Sequence, residues 1–528
     1  MSLNGTETEP AWGLLGVPIA PALPGMEARC THHPLKLLRR AAALAPDALA
    51  LVGSDARISF AQMIRLVEIV AGQVALRVPA EQAVACQLPR NPHGVAVLLG
   101  CLVSGRACVV LDPSDPPGRI AGLLEEAAPA LIVQGDETPA NWAIPVLGLA
   151  HFVDTQQAVA PLDSGWNPDA VMAVHFTSGS TGRPKGIALS GRSVMYRSLH
   201  LLHTLQLDRD DRVIANSLPT TSAGLALLLA ALIAGARVVL AHFGREGATG
   251  FLAIMRAEAV NCLIIPPPLM RVLAGLARAR QSFAGLRLVR TGAALLPTAD
   301  VAAWRAVLPA CCPIIHAYAS TEALVLAAGR VADATPADVL VAASGVLQPG
   351  YDHAIVDENL APVDASIGGE LIVRSRYLAS GEWRDGRLVA GAMVPAVGQP
   401  GMRVFRTGDI VRITPDGILR VLGRVDRQVK INGVRLELSE IEALLKSQPG
   451  VTDAAVLPLR AASGMRLIGF VEAHGANATT LVPALRLVIA DRLPGVARLS
   501  DLHVVDRFPL LPVGKLDAQA LLALAGQG

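Results

Sequence analysis

The sequence predicts an α/β protein, with a large N-terminal α/β unit of several subdomains followed by a small, mobile C-terminal α+β domain. Three observations point there. Helix-like and strand-like segments alternate through most of the chain, and a polar, glycine-bounded stretch breaks that pattern at residues 423–433. The 528 residues leave room for several cores at roughly 100 to 200 residues per domain.

Taken in order, residues up to about 25 read as a loosely held extension without the basic segment and apolar run of a secretory signal. HPLKLLRRAAALAP at 33–46 has helical spacing, whereas RVVLA at 237–241 and LRLVR at 286–290 are short apolar runs of strand type. Alternation of this kind predicts largely parallel strands, with the chemistry in loops at their ends. GLALLLAALIAGA, within the uncharged stretch 213–236, has an apolar core of about a dozen residues against the roughly 20 a bilayer needs, so it predicts a buried helix. After the strand-like ILRVLG, LSEIEALLKSQ opens a helix in which Ser439 and Glu442 have capping-box spacing. The boundary is therefore placed at Asp426, giving domains of 1–425 and 426–528.

Composition excludes several classes. Hydrophobic residues are 52% and charged residues 17%, which argues against disorder. Lys and Arg number 46 against 44 Asp and Glu, with no basic block to follow a nucleic-acid backbone or an anionic membrane. The seven cysteines form no CxxC pair, so neither zinc nor a disulfide framework is predicted and a reducing cytoplasm fits.

The densest chemical signal is TSGSTGRPKG at 177–186, after the strand-like VMAVHF. Glycines let backbone amides approach an anion, hydroxyls add donors, and lysine adds charge, so Thr177, Ser178, Gly179, Ser180, Thr181, Gly182 and Lys185 suit a phosphate. No Walker GxxxxGK[ST] and no GxGxxG between strand and helix is present, and GxSxG and HExxH are absent.

With this loop, several further motifs in order resemble the adenylate-forming superfamily of acyl-CoA synthetases, nonribosomal peptide adenylation domains and luciferases. They are LVSGRACVVLDPSDPPGRI (102–120), HAYASTEA (316–323), GGELIVRSRYLASGEW (368–383), FRTGDI (405–410), GRVDRQVKINGVRLELSEIE (423–442) and PLLPVGKLD (509–517). The wording is closest to the peptide-synthetase branch. The resemblance implies ATP-dependent formation of an acyl-adenylate, with Mg²⁺, and transfer to a thiol. That thiol is expected to be the phosphopantetheine of a carrier protein, supplied in trans or on a longer chain; the alternatives are an acyl-CoA ligase using free CoA and an amino-acid adenylation enzyme with an atypical pocket. A non-catalytic nucleotide-binding descendant is a further, weaker reading.

The same resemblance assigns roles. Tyr318 offers a flat face to adenine, Thr321 a hydroxyl to the α-phosphate and Glu322 a hard oxygen to Mg²⁺. Asp409 would accept the ribose hydroxyls with Arg424 nearby. Lys515 matches the adenylation lysine, Asp426 the hinge, and the face around Lys430 and Gly433 the surface for the second half-reaction. Ser222 falls where α-amino-acid enzymes carry an aspartate for the substrate ammonium. With Ala223, Ala226, Ile264, Val289, Thr291, Ala317, Val325 and Leu326 it predicts a roomy, uncharged pocket for an acid without an α-ammonium. Two departures, Ala319 in place of a glycine and LPGVARL at 493–499, bear on the acceptor surface.

Overall fold

The computed structural model describes residues 25–136, 142–153, 166–178, 184–215, 219–332, 344–425, 428–431, 434–461, 464–475, 477–492, 498–510 and 516–525. Two large sheets organise the N-terminal unit. One runs through the parallel strands Ile314–Ser320, Leu288–Gly292, Cys262–Ile264, Arg212–Ala215, Arg237–Leu240 and Leu49–Val52. The other is parallel from Val171–Ser178 through Ala107–Val110, Ala83–Gln87 and Leu131–Gln134 to Val146–Gly148. The expectation of largely parallel strands therefore holds only for the sheet centres. Each sheet continues into antiparallel strands, including Leu324–Arg330, Arg403–Ile413 and Ile418–Arg424 in the first and Pro184–Ser190 and Gly381–Arg384 in the second.

Helices Phe60–Arg77, Pro92–Leu102, Gly191–Thr204 and Ser222–Ala234 lie between the sheets, and one core joins them to Val84, Val213 and Leu288. That sandwich explains the uncharged stretch: a helix covered on both sides has no polar face. Thr221 Oγ1 accepts from Gly224 N at 3.0 Å at its start, and Gly235 ends it at φ 82°. No helix of the described residues is long and apolar enough to cross a membrane. A second core, around Phe251, Phe283 and Trp304, fills the other face of the larger sheet, and helix Pro117–Ala127 covers the outer face of the smaller one. All seven cysteines are free thiols, and all but Cys311 are buried.

Beyond Arg424 the chain forms a hairpin, Gln428–Ile431 with Val434–Glu437, which the polar composition of that stretch conceals. A small α+β domain follows. Strand Gly464–Glu472 pairs antiparallel with Asp453–Ala461 and parallel with Asp501–Val505, and helices Leu438–Lys446 and Ala478–Arg492 cover this sheet. The predicted capping box is corrected. Ser439 lies inside the helix, its Oγ donating to Leu422 O at 3.0 Å, and Glu442 accepts instead from Val456 N at 2.8 Å. Arg271 reaches across to this domain. It grips Asp300 through two bonds of 2.9 and 2.8 Å, donates to Thr452 O at 2.9 Å and lies 3.6 Å from Asp453. The predicted extension up to Pro24, and Asp426 at the predicted boundary, fall outside the described residues.

Candidate active site

The ends of the phosphate-loop segment lie on two paired antiparallel strands. Thr177 pairs with Lys185 and Ser178 with Pro184, so the segment starts and ends on adjacent strands. Gly179, Ser180, Thr181 and Gly182 lie outside the described residues. Thr177 Oγ1 donates to Lys185 O at 3.4 Å, and Lys185 Nζ lies 2.6 Å from Glu382 Oε1. Glu382 is buried and also holds Arg384 and the backbone N–H of Ala392. Burial acts to raise its pKa, but the bonds from Lys185 and Arg384 outweigh it and hold the carboxyl below its ordinary range. Glu382 was not singled out by sequence; its place within GGELIVRSRYLASGEW is the only signal.

Strand Ile314–Ser320 carries the second motif to the edge of the same region. Ser320 Oγ accepts from Ala323 N at 2.9 Å, closing the turn that presents half-buried Thr321 and Glu322. The Glu322 carbonyl accepts from Ala379 N at 2.8 Å, which fixes that turn against the GGELIVRSRYLASGEW segment. Tyr318 donates its hydroxyl to Asp409, and Asp409 Oδ1 accepts from Arg424 Nη1 at 2.9 Å. Register sets this trio, because Asp409 stands opposite Arg424 on neighbouring strands. Gly408 allows it: the backbone there has φ 70°, and an added Cβ would lie 3.3 Å from Arg424 Nη2. Burial, with Asp409 alongside, pushes the Tyr318 phenol well above its usual pKa, so it remains a donor.

The acid-pocket positions are brought together only in part. Ser222, Ala226, Ile264, Ala317, Val325, Leu326 and Thr291 are buried and Ala223 is half-buried. Val289 packs with Leu263 and Ile314 in the second core, while Ile264, Leu288 and Leu326 belong to the inter-sheet core. Alternation along the strand puts Arg290 on the inter-sheet face and Val289 and Thr291 on the other. The predicted absence of charge is also corrected. Arg197, from helix Gly191–Thr204, donates through Nη1 to Ser222 Oγ at 3.1 Å and to Ser320 O at 3.5 Å. Its Nε is buried without a partner. Burial first, then the nearby charge of Arg290, lower its pKa to about 9, and burial lowers Arg290 to about 10, so both are cations at neutral pH. Beside them His175 is held neutral by burial, its pKa near 4, with Nδ1 3.1 Å from Thr220 O.

Lys515 lies outside the described residues, but the loop that carries it is closed at its base by the Leu510–Leu516 bridge and by Asp517 N bonded to Pro509 O at 2.9 Å. No cluster of three His, Cys, Asp or Glu side chains suited to a metal exists among the described residues. A Mg²⁺ held by Glu322 would take its other oxygens from phosphate and water, the usual arrangement for this ion, so the donor set fits.

A cation on a glycine-loop hairpin, a hydroxyl and carboxylate on a tight turn, and a Tyr–Asp–Arg trio form a donor set suited to a nucleotide, on the two-domain scaffold of adenylate-forming ligases. The chain belongs to the AMP-binding enzyme family, whose model matches residues 38–383, with the AMP-binding enzyme C-terminal domain at 440–515. It is thus an adenylate-forming ligase that activates a carboxylic acid as its acyl-adenylate. It is 31% identical over 502 residues to the dimodular nonribosomal peptide synthase of Bacillus subtilis, covering 92% of this chain and 20% of that synthase. The fold is similar to the anthranilate CoA ligase AuaEII in complex with anthranoyl-AMP, with TM-score 0.80, 20% identity, and coverage of 94% and 99% of the two chains. It is also similar to AB3403, a four-domain nonribosomal peptide synthetase bound to AMP and glycine, with TM-score 0.78, 24% identity, and coverage of 93% and 36%.

Proposed function

We propose that the chain adenylates a carboxylic acid lacking an α-ammonium and passes the acyl group to the phosphopantetheine thiol of a carrier protein. The observation that carries the substrate reading is the 3.1 Å bond from Arg197 to Ser222. A guanidinium at this position repels an ammonium that an aspartate would attract, so the site discriminates against α-amino acids. Peptide-synthase relatives and the wording of the motifs support the carrier thiol.

A carboxylate oxygen attacks the α-phosphorus of ATP, the bond from that phosphorus to the bridging oxygen breaks, and diphosphate departs with the electron pair. Lys185 leaves Glu382 for the phosphates, Thr321 donates to the α-phosphate, Asp409 accepts from the ribose hydroxyls, and Lys515 neutralises charge building between carboxylate and phosphate. Mg²⁺ on Glu322 supplies further charge neutralisation at the phosphates. A thiolate then adds to the carbonyl of the mixed anhydride, its proton having passed to solvent, and AMP leaves.

The test is substrate-dependent exchange of radiolabelled diphosphate into ATP across amino, aryl, hydroxy and aliphatic acids. Exchange is expected with acids lacking an α-ammonium, and Lys515→Ala is expected to lower it on the order of 10²- to 10³-fold. Strong exchange with an α-amino acid alone would overturn the substrate reading. Thioester formation with a holo carrier protein but not with CoA checks the acceptor.

A further inference from the structure

Two arginines are buried between the sheets with no carboxylate partner among the described residues. Arg197 and Arg290 are both at least nine-tenths covered, and their hydrogen-bond partners among the described residues are neutral, Ser222 Oγ and Ser320 O for Arg197 and none for the Arg290 side chain. Other buried charges in this protein are handled differently. Asp211 is buried against Arg287, and buried Glu370 against Arg406. Taking an ion out of water without a counter-charge costs several kcal/mol even after relaxation, and two neutral acceptors recover only part of that. A guanidinium buried against neutral acceptors, with its Nε left without a partner, suits a site that receives negative charge.

The location says which ligand. Arg197 bonds to Ser222, at the position assigned to the acid pocket, and to the carbonyl of Ser320, the residue before Thr321. Arg290, on the inter-sheet face of strand Leu288–Gly292 and so opposite to Val289 and Thr291, shares the layer that holds helix Gly191–Thr204, the helix of Arg197. We propose that the acid substrate is a dicarboxylic acid, whose second carboxylate is received by Arg197 and Arg290 while the first is activated. The inference rests on the acid-pocket reading above. The free Nε of Arg197 matches a planar carboxylate, since guanidinium N–H groups form a fork that donates to its two oxygens. Binding the remote carboxylate also fixes direction, because the activated end must stay unclamped to act as a nucleophile.

The experiment compares diphosphate exchange for chain-matched pairs: butanoate with butanedioate, pentanoate with pentanedioate, hexanoate with hexanedioate. In the unaltered protein one diacid is expected to exceed its monoacid in kcat/KM by about 10²-fold or more, the scale on which a site built for a polar group rejects the analogue lacking it. In Arg197→Gln and in Arg290→Gln the ratio of diacid to monoacid is expected to fall by a similar factor. General damage to the fold would lower both members of each pair together and leave the ratio intact. Monoacids equal to or better than diacids across the panel, which needs no variant to observe, would overturn the dicarboxylate assignment while leaving adenylation of uncharged acids standing. Exchange with α-amino acids only, or with no acid, would remove the underlying pocket reading as well.

Discussion

Arg197 and Asp409 carry opposite charges into the interior, and their surroundings give them different work. Asp409 accepts from Tyr318 and Arg424, which fix its carboxylate, an acid group with the geometry to accept from sugar hydroxyls. Asp409→Asn is expected to raise KM for ATP by ten- to a hundredfold, since a bond to a charged group contributes roughly 1.5 to 3 kcal/mol; isothermal titration with ATP checks it. His175 and His200 set the acid limit of the fold. Burial lowers both to about 4, against an ordinary value of 6.5. Below pH 6.5 the unfolded chain binds protons that the folded chain refuses, so stability is full above that pH and falls as pH drops toward 4. Denaturant midpoints are expected to decline already between pH 6.5 and 4.5, where carboxylates of depressed pKa remain ionised. The nucleotide residues were legible in the sequence because they sit in contiguous motifs. Arg197 was not: its partner Ser222 is on another helix, and no local pattern announces a buried cation.

At the scale of elements, residues that look alike in sequence divide by what they meet. Ser59 and Gln62 form a genuine capping box at the start of helix Phe60–Arg77, whereas the same spacing at Ser439 and Glu442 is taken over by partners from neighbouring strands. The pattern was readable, but the competing tertiary bonds were not. Register was similarly hidden: motif alignment could place the strand Leu288–Gly292 but could not tell that Arg290, rather than Val289, faces the inter-sheet layer. That layer depends on close approach of helices. An added Cβ at Gly100 of helix Pro92–Leu102 would lie 2.5 Å from Val70 Cβ and 2.9 Å from Val67 O. Gly100→Val is therefore expected to destabilise by on the order of 3 kcal/mol, outweighing its gain in helix propensity, as a drop in denaturation midpoint at unchanged slope.

Across the whole molecule, the division into a large and a small domain was visible as a shift in composition, but the contact between them was not, because it sets Arg271 against a backbone carbonyl and a carboxylate far away in sequence. Arg271 spends one N–H on Thr452 O while its other bonds hold Asp300. Arg271→Ala is expected to loosen the C-terminal domain without altering its own core, read as faster proteolysis between residues 424 and 438 and a larger radius of gyration in solution scattering. Neither change occurs if the docking rests on other contacts.

The burial of the thiols has a chemical sequel. A mixed anhydride is an acylating agent, and the species it acylates fastest is a thiolate. Burial raises Cys30 to about 12 and Cys312 to about 11 and pushes Cys86, Cys108 and Cys262 upward too, while the bond to Cys86, then burial, raises Cys101. Exposed Cys311 precedes strand Ile314–Ser320, at the opposite end from Thr321. An enzyme that makes such an intermediate thus keeps its own buried sulfurs protonated, and so poorly reactive toward it.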